Sequence, residues 1–492
     1  MQGIKNVKWS FKNLYFGFYY PLTWLSHIID VELFGLSPKE HYLTNLIFHS
    51  LNTILLFYFF ILYTKEKIKS FIASAIFAIH PMNIESVAWL AERKNLLSTF
   101  FLLITFISYF YYVKSESKKK KIVFYLLSIL FYSFGIMSKT SIVILPFLLI
   151  LLNFYPLQRF SLKKKKERVS VIKKSLFEKI PHFVISIISG ILTVIAQNKI
   201  QTIVAIPLYQ KIVQAILSFG FYIYKFFFPF KLSAFYEHSK GNFNFLKLLA
   251  TTIFLTAITI FFIKVSKNKK EPLFGLLFFI ISLLPVIGLI QAGLQGKATR
   301  YVYFPYWGLL FILIFGIPWE RIIKNRYILF IFILLSFTYF FILSSYQVKV
   351  WKDDKTLFQN VISIEPNSFL GYLKLGNHYV QVERNYDEAL KYYLIAEEKN
   401  KKEPLILKNI GTLYLLKGDT QKAKDYFLKA IEINPSFIPA YEQIVAILQY
   451  EKDYQKADEY LKKAQMLGAN LEETLESIKE VEHLIKQSKI KN

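Results

Sequence analysis

"YILFIFILLSFTYFFILSS", residues 327–345, carries no charge over a length that crosses a bilayer as a helix. In lipid a backbone must satisfy its own hydrogen bonds, so such a run leaves only helical solutions for a single segment. Comparable apolar segments fall near residues 42–63, 68–80, 94–113, 122–137, 141–155, 179–196, 245–264, 272–290, 303–318 and 327–346. The first 346 residues therefore read as a polytopic membrane domain. The segments at 68–80 and 141–155 are short for a full crossing, which predicts tilted or broken helices. Pro146 and Pro229 need neighbouring helices to re-satisfy the backbone around them.

A net charge of +27 in a soluble chain would suggest nucleic acid. Its distribution here excludes that class. The lysines gather in short loops between apolar segments, at Lys65, Lys67 and Lys69, Lys118 to Lys121, Lys163 to Lys166, Lys264, Lys267, Lys269 and Lys270, and Arg321, Lys324 and Arg326. Retention of positive charge in the cytoplasm makes these the cytoplasmic loops. The ten segments then alternate, and the polar stretches at 81–93, 138–140, 197–210 and 291–302 face outside. Segment 209–229 is apolar but carries Lys211 and Lys225; crossing would move the next lysine cluster outside, so it reads as an interfacial or re-entrant helix. The chain has no cysteine, which excludes disulfides, thiolate zinc sites and a Cys nucleophile.

After residue 347 charged residues become frequent and a 34-residue repeat emerges. Leu407, Ile410, Gly411, Tyr414, Ala423, Phe427 and Ala430 recur as Tyr441, Ile444, Val445, Leu448, Ala457, Leu461 and Ala464, and an earlier copy holds Tyr372, Leu375, Gly376, Tyr379, Ala389, Tyr393 and Ala396 with one inserted residue. Small residues that let paired helices approach, with large ones filling the gap, make a tetratricopeptide α-solenoid. The organisation is all-α. Residues 1–41 form an outer-face amphipathic segment, 42–346 the multi-pass domain, 347–366 a connecting helix, 367–470 three repeats, and 471–492 a capping helix and tail.

Five stretches occur in a telling order: "YYPLTWLSHIIDVELFGLSPKEHYLTNLIFHSLN" (19–52), "HPMNIESVAWLAERKNLL" (80–97), "GIMSKTSIVILPFLLILLNFYPL" (135–157), "KATRYVYFP" (297–305) and "VWKDDKTLFQNVISIEP" (350–366). Followed by the repeats, they resemble the transmembrane and tetratricopeptide-repeat O-mannosyltransferases and their bacterial relatives, polytopic glycosyltransferases of the C superfold. The resemblance implies transfer of a sugar from a polyprenyl-phosphate donor to a protein or glycan hydroxyl at the outer face. That chemistry needs a carboxylate base and positive charge for the leaving phosphate. It also implies a helix and an acidic first external loop upstream of residue 1, so the first loop reads as incomplete. Relatives carry acids where this chain has Thr140 and Thr299. The alternative is a non-catalytic, membrane-anchored repeat protein that binds partner proteins.

The resemblance selects His80, Glu85 and Arg93 as catalytic or supporting residues, with Glu85 positioning the acceptor, contacting a metal or pairing with Arg93. It selects Lys139 and Arg300 for the donor phosphate, and Tyr301 and Tyr303 for the lipid or sugar path. Against these stand a structural ion pair at a helix end, snorkelling lysines and ordinary interfacial tyrosines. Glu92 does not match the family and reads as solvated. His41, Asn45 and His49 share one helical face and read as a polar stripe against a neighbouring helix, the alternative being a metal held by the two histidines with ligands from elsewhere. Asp30 and Glu32 read as parts of an interfacial helix. No metal ligand set is legible, and whether a divalent metal is the cofactor stays open. The expected partners are membrane lipid, the lipid-linked sugar and a protein acceptor, without nucleic acid. The Lys-, Ile- and Phe-rich composition favours a bacterial inner membrane, with the repeats on the periplasmic side.

Overall fold

The computed structural model describes residues 4–13, 17–160, 165–199, 206–237, 243–266, 269–289 and 295–491. Lys163, Lys164, Lys267 and positions 200–205 and 291–294 of the polar stretches lie outside these. The fold is all-α. Among the described residues the strand pairing is one short antiparallel contact, Tyr236–Glu237 with Gln295–Lys297. The chain divides into Met1–Trp351 and Lys352–Asn492.

In the first unit each of the ten apolar segments is helical over most of its described residues. Pro38–Thr64, Leu90–Lys114, Lys118–Ser138, Ile180–Gln197, Phe245–Val265 and Arg326–Val350 are long and apolar enough to cross a membrane. The remaining four are short or broken. Lys67–Ile79 meets Pro81–Ala88 at a 54° bend. The cause is local: Pro81 disfavours a helical His80, and His80 is extended with ψ 127. Residues 140–154 likewise begin as a 3-10 turn, Thr140–Ile144, and continue as Leu145–Phe154. Pro146 thus sits in the first turn of a helix, where its missing N–H costs no bond. The segment at 208–227 is a helix whose Lys225 donates to the carbonyls of Phe230 and Lys231, tying its end to the following turn.

The unit's core is aromatic, with Phe59, Phe60, Phe106, Phe278, Trp307 and Phe311 buried together. Glu271–Leu283 and Tyr306–Phe311 cross where Gly275 faces Gly308; a Cβ on either would lie within 2.5 Å of the other's carbonyl oxygen. Small residues at such crossings let helix backbones touch, which supplies packing where lipid provides no hydrophobic drive. Phe245–Val265 buries none of its apolar window in the protein, and Arg326–Val350 only 11%. Their side chains are those of a lipid-facing surface.

The second unit opens with Asp354–Ile364 and stacks the pairs Phe369–Gln381 with Tyr386–Lys399, Pro404–Leu416 with Thr420–Ile433, and Ile438–Tyr450 with Tyr454–Met466, before a closing helix Leu471–Lys491. Asp353, Ser368, Asn385, Asp419 and Asp453 cap helix starts with their side chains. The small-against-large register is explicit: a Cβ on Gly411 would lie 2.5 Å from the Phe427 ring. Gly411→Leu is expected to destabilise the repeats by about 1–3 kcal/mol. Limited proteolysis of the full chain checks this, with faster cleavage between residues 404 and 466 than in wild type.

Candidate functional site

Three breaks in helical structure converge on one polar cluster. The first is the bent stretch from Pro81 to Glu92, the second is Lys139, extended between two helices, and the third is the 3-10 turn Thr299–Val302. Helix ends leave backbone groups unpaired, and charged side chains fill that need here.

Glu85, 1% exposed, accepts from Thr299 Oγ1, from the Arg300 backbone N–H at 2.9 Å and from Arg300 Nη1 at 2.5 Å. Arg300 also donates to Gln295 Oε1 at 2.6 Å and reaches Glu92 Oε1 with Nε at 3.3 Å. Its guanidinium lies 5.0 Å from the Trp89 ring centroid and 5.1 Å from that of Tyr301, within cation–π range. Lys139 Nζ meets Glu92 Oε2 at 3.3 Å and Asn95 Oδ1 at 2.9 Å, and Lys94 Nζ meets Glu92 Oε1 at 3.1 Å. Asn95 ties the cluster together, donating to Ser86 Oγ at 3.1 Å and to the Arg300 carbonyl at 2.7 Å.

Glu92 is therefore not solvated, as its setting in the sequence suggested. It is 1% exposed and bound by Lys94, Lys139 and Arg300. A buried carboxylate persists only when paired in this way. Nor does Glu85 pair with Arg93. Arg93, fully buried, pairs instead with Asp30 at 2.6 Å and donates to Asn45 Oδ1 at 2.5 Å and to the His41 carbonyl at 2.8 Å. Asp30 is consequently a buried ion partner, and the face bearing His41, Asn45 and His49 is the polar stripe its spacing implied: Asn45 donates to the Val87 carbonyl and His49 contacts Tyr303 and the Ala78 carbonyl.

Glu85, Arg300, Lys139 and Tyr301 are thus gathered in one place. His80 is set apart, stacked on Phe226, its Nε2 3.0 Å from the Phe226 carbonyl. Tyr303 is buried with its hydroxyl 2.7 Å from His49 Nδ1. Sequence reasoning missed Asn95, Glu92 and Trp89, whose only signal is their place in the polar stretch. It also missed a second buried cluster. Lys179 donates to Tyr109 Oη at 2.8 Å and Ser175 Oγ at 3.0 Å, beside a two-bond Arg159–Glu178 pair. Tyr109 and Arg93 lie roughly 24 Å apart along one helix at 1.5 Å per residue.

Two carboxylates, Glu85 and Glu92, face three cations, Arg300, Lys139 and Lys94. One positive charge is left over, as an anion site requires. Burial lowers Lys139 to about 8, against the pull of Glu92. Burial also opposes the Arg300 charge, but Glu85 and Glu92 outweigh it and raise the group further. Burial and the nearby Arg93 charge push His27 down to about 4. An apolar cavity of about 180 Å³, lined by Tyr19, Ile136, Met137, Ile188 and Leu192, reaches Thr140, the residue after Lys139.

The human protein O-mannosyl-transferase TMTC3 is 22% identical over 458 residues, which cover 86% of this chain and 49% of that protein. The chain is homologous to the TMTC transferases. The mouse protein O-mannosyl-transferase TMTC1 is 32% identical over a shorter stretch, 18% of this chain and 10% of that protein. Residues 404–437 match the tetratricopeptide repeat family model. The photosystem I assembly protein Ycf3 of Rippkaea orientalis is 32% identical over 19% of this chain and 59% of that protein. The chain spans about half the length of TMTC3. With several apolar helices of spanning length, the chain is a multi-pass membrane protein.

Proposed function

We propose that this chain is an integral-membrane glycosyltransferase moving a sugar from a polyprenyl-phosphate donor to a protein or glycan hydroxyl. The observation that carries the reading is the surplus of positive charge around Arg300 and Lys139 beside an apolar cavity reaching Thr140. A lipid phosphate suits both halves: the head meets charge-assisted donors and the isoprenoid tail meets apolar walls. Arg300 and Lys139 hold the leaving phosphate, and Trp89 and Tyr301 shield it. The lysines at 65–69 and 118–121 occupy the helix ends opposite His80 and Lys139. With those loops cytoplasmic, the site faces outward, the periplasm in a bacterium. The homologues' names make a mannosyl donor the first to test, and the repeats are the surface for a protein acceptor.

The experiment is sugar transfer by the full chain in lipid vesicles from polyprenyl-phosphate mannose. Lys139→Met is expected to lower kcat/KM for the donor by roughly 10- to 100-fold, the loss of one charge-assisted bond. In wild type, kcat/KM falls as pH rises through about 8, because the ammonium loses its proton; Lys139→Met shows no such step. A wild-type profile flat from pH 7 to 9, with Lys139→Met fully active, removes Lys139 from the donor site.

A second reading is favoured by the saturation of Glu85, whose carboxylate already accepts from three donors on Thr299 and Arg300. On that reading the chain is a non-catalytic membrane anchor for its repeats. Absence of transfer from any polyprenyl-phosphate sugar, with partner binding to the repeats intact, selects it.

A further inference from the structure

A second site lies on the hairpin formed by helices Pro21–Phe34 and Pro38–Thr64. Gly35 turns the chain between them at φ +67, a conformation that favours glycine. His27 and Asp30, three apart, share one face of the first helix, and the turn brings His41 of the second helix against them. One ligand atom from each of His27, Asp30 and His41 lies within 4.8 Å of the others. The two imidazoles lie nearly parallel, 18° apart in plane, with centroids 6.4 Å apart.

The hydrogen bonds around His41 show what this arrangement lacks. His41 Nε2 is 3.1 Å from the Gly35 carbonyl oxygen, which can only accept. Nε2 therefore carries the proton, and in a neutral ring Nδ1 presents a lone pair. That lone pair faces Asp30 Oδ2 at 3.5 Å. Two acceptors aimed at each other across a buried gap repel unless something positive joins them; Asp30 is 4% exposed and His41 8%. A histidine whose second nitrogen donates to a backbone carbonyl is also the usual setting of a metal ligand.

The carboxylate has capacity to spare. Oδ1 accepts from Thr44 Oγ1 at 3.1 Å, and Oδ2 meets Arg93 Nη1 at 2.6 Å. Oδ2 makes no hydrogen bond, its contact with Arg93 being an ion pair only, so its lone pairs remain for a further cation.

We propose that His27, Asp30 and His41 bind a single divalent cation of the zinc class. Two imidazoles and one carboxylate suit zinc and its transition-metal neighbours rather than magnesium or calcium, which prefer all-oxygen shells. Bonds of about 2.0–2.1 Å in a tetrahedral shell place ligand atoms about 3.3 Å apart. His41 and Asp30 already stand near that separation, and a small side-chain rotation of His27 completes the triad. Three protein ligands leave a position for water or a phosphate oxygen. Arg93 weakens the site by repulsion and orients its carboxylate.

The test uses the full chain, purified in detergent without a polyhistidine tag, titrated with Co²⁺. The expected result is one equivalent bound with visible d–d absorption, displaced by Zn²⁺. His27→Ala, at a partly exposed position, is expected to weaken binding at least about ten-fold and abolish the bands with an unchanged melting temperature. His41→Gln does the same, and His378→Ala in the repeats changes nothing. Absence of d–d bands in wild type, or bands of equal intensity in His27→Ala, overturns the proposal.

Discussion

Arg300→Ala is expected to lower sugar transfer by about 100- to 1000-fold, the cost of removing one preorganised donor from developing negative charge. Arg300 is the only cation in the cluster that touches both carboxylates, Glu85 at 2.5 Å and Glu92 at 3.3 Å, while presenting a face between Trp89 and Tyr301. Its removal strips the leaving phosphate of a partner and leaves buried Glu85 without its counter-charge, whereas Glu92 keeps Lys94 and Lys139, so loss of activity alone would not distinguish chemistry from unfolding. Arg300→Lys separates them. It keeps the charge but loses the planar fork that meets two oxygens at once. The expected outcome is a melting temperature close to wild type with transfer still depressed at least ten-fold. Folded Arg300→Ala protein with wild-type transfer would remove the donor site from this cluster and take the transferase reading with it.

The fold was legible because hydropathy and repeat spacing act locally. A charge-free run such as 327–345 has one structural solution in lipid, and the pairing of Gly411 with Phe427 is written in the repeat itself. The short runs at 68–80 and 141–155 announced tilted or broken helices for the same reason, since their length cannot cover the bilayer; the first is bent at Pro81, and the second is one short helix, Thr140–Phe154.

The site was legible only as a set of ingredients. Nothing local tells Glu92 from a solvated acid, since Arg93 and Lys94 beside it make the stretch look hydrophilic. Its burial follows from Lys139 and Arg300 arriving from distant helix ends. Glu85 and Arg93 looked like partners within one polar stretch, yet each takes an ion partner from another segment, Arg300 and Asp30. Lys179 was hidden more completely. It belongs to a stretch rich in lysine, and only Tyr109, Asn153 and Ser175, brought together by packing, distinguish it from its exposed neighbours.

The Asp30–Arg93 pair gives the second large effect, this time on stability. Arg93 has no exposed surface, and Asp30 Oδ2 at 2.6 Å is its charged partner; its remaining bonds go to neutral oxygens of Asn45 and His41. Asp30→Asn preserves shape and leaves the guanidinium buried without a counter-charge, at a cost of about 3–5 kcal/mol. Glu32→Gln, on an exposed position of the same helix, is expected to change stability by less than about 0.5 kcal/mol. Thermal unfolding in detergent with a chelator present isolates the ion pair from any metal held by Asp30. The decisive comparison is the double variant Asp30→Asn with Arg93→Met. Removing both charges eliminates the desolvation penalty, so the double variant should melt above Asp30→Asn alone even though Asn45 Oδ1 and the His41 carbonyl each lose a donor. A double variant less stable than Asp30→Asn would mean that the hydrogen bonds of Arg93, rather than its charge pairing, hold the hairpin against the helix that begins at Arg93.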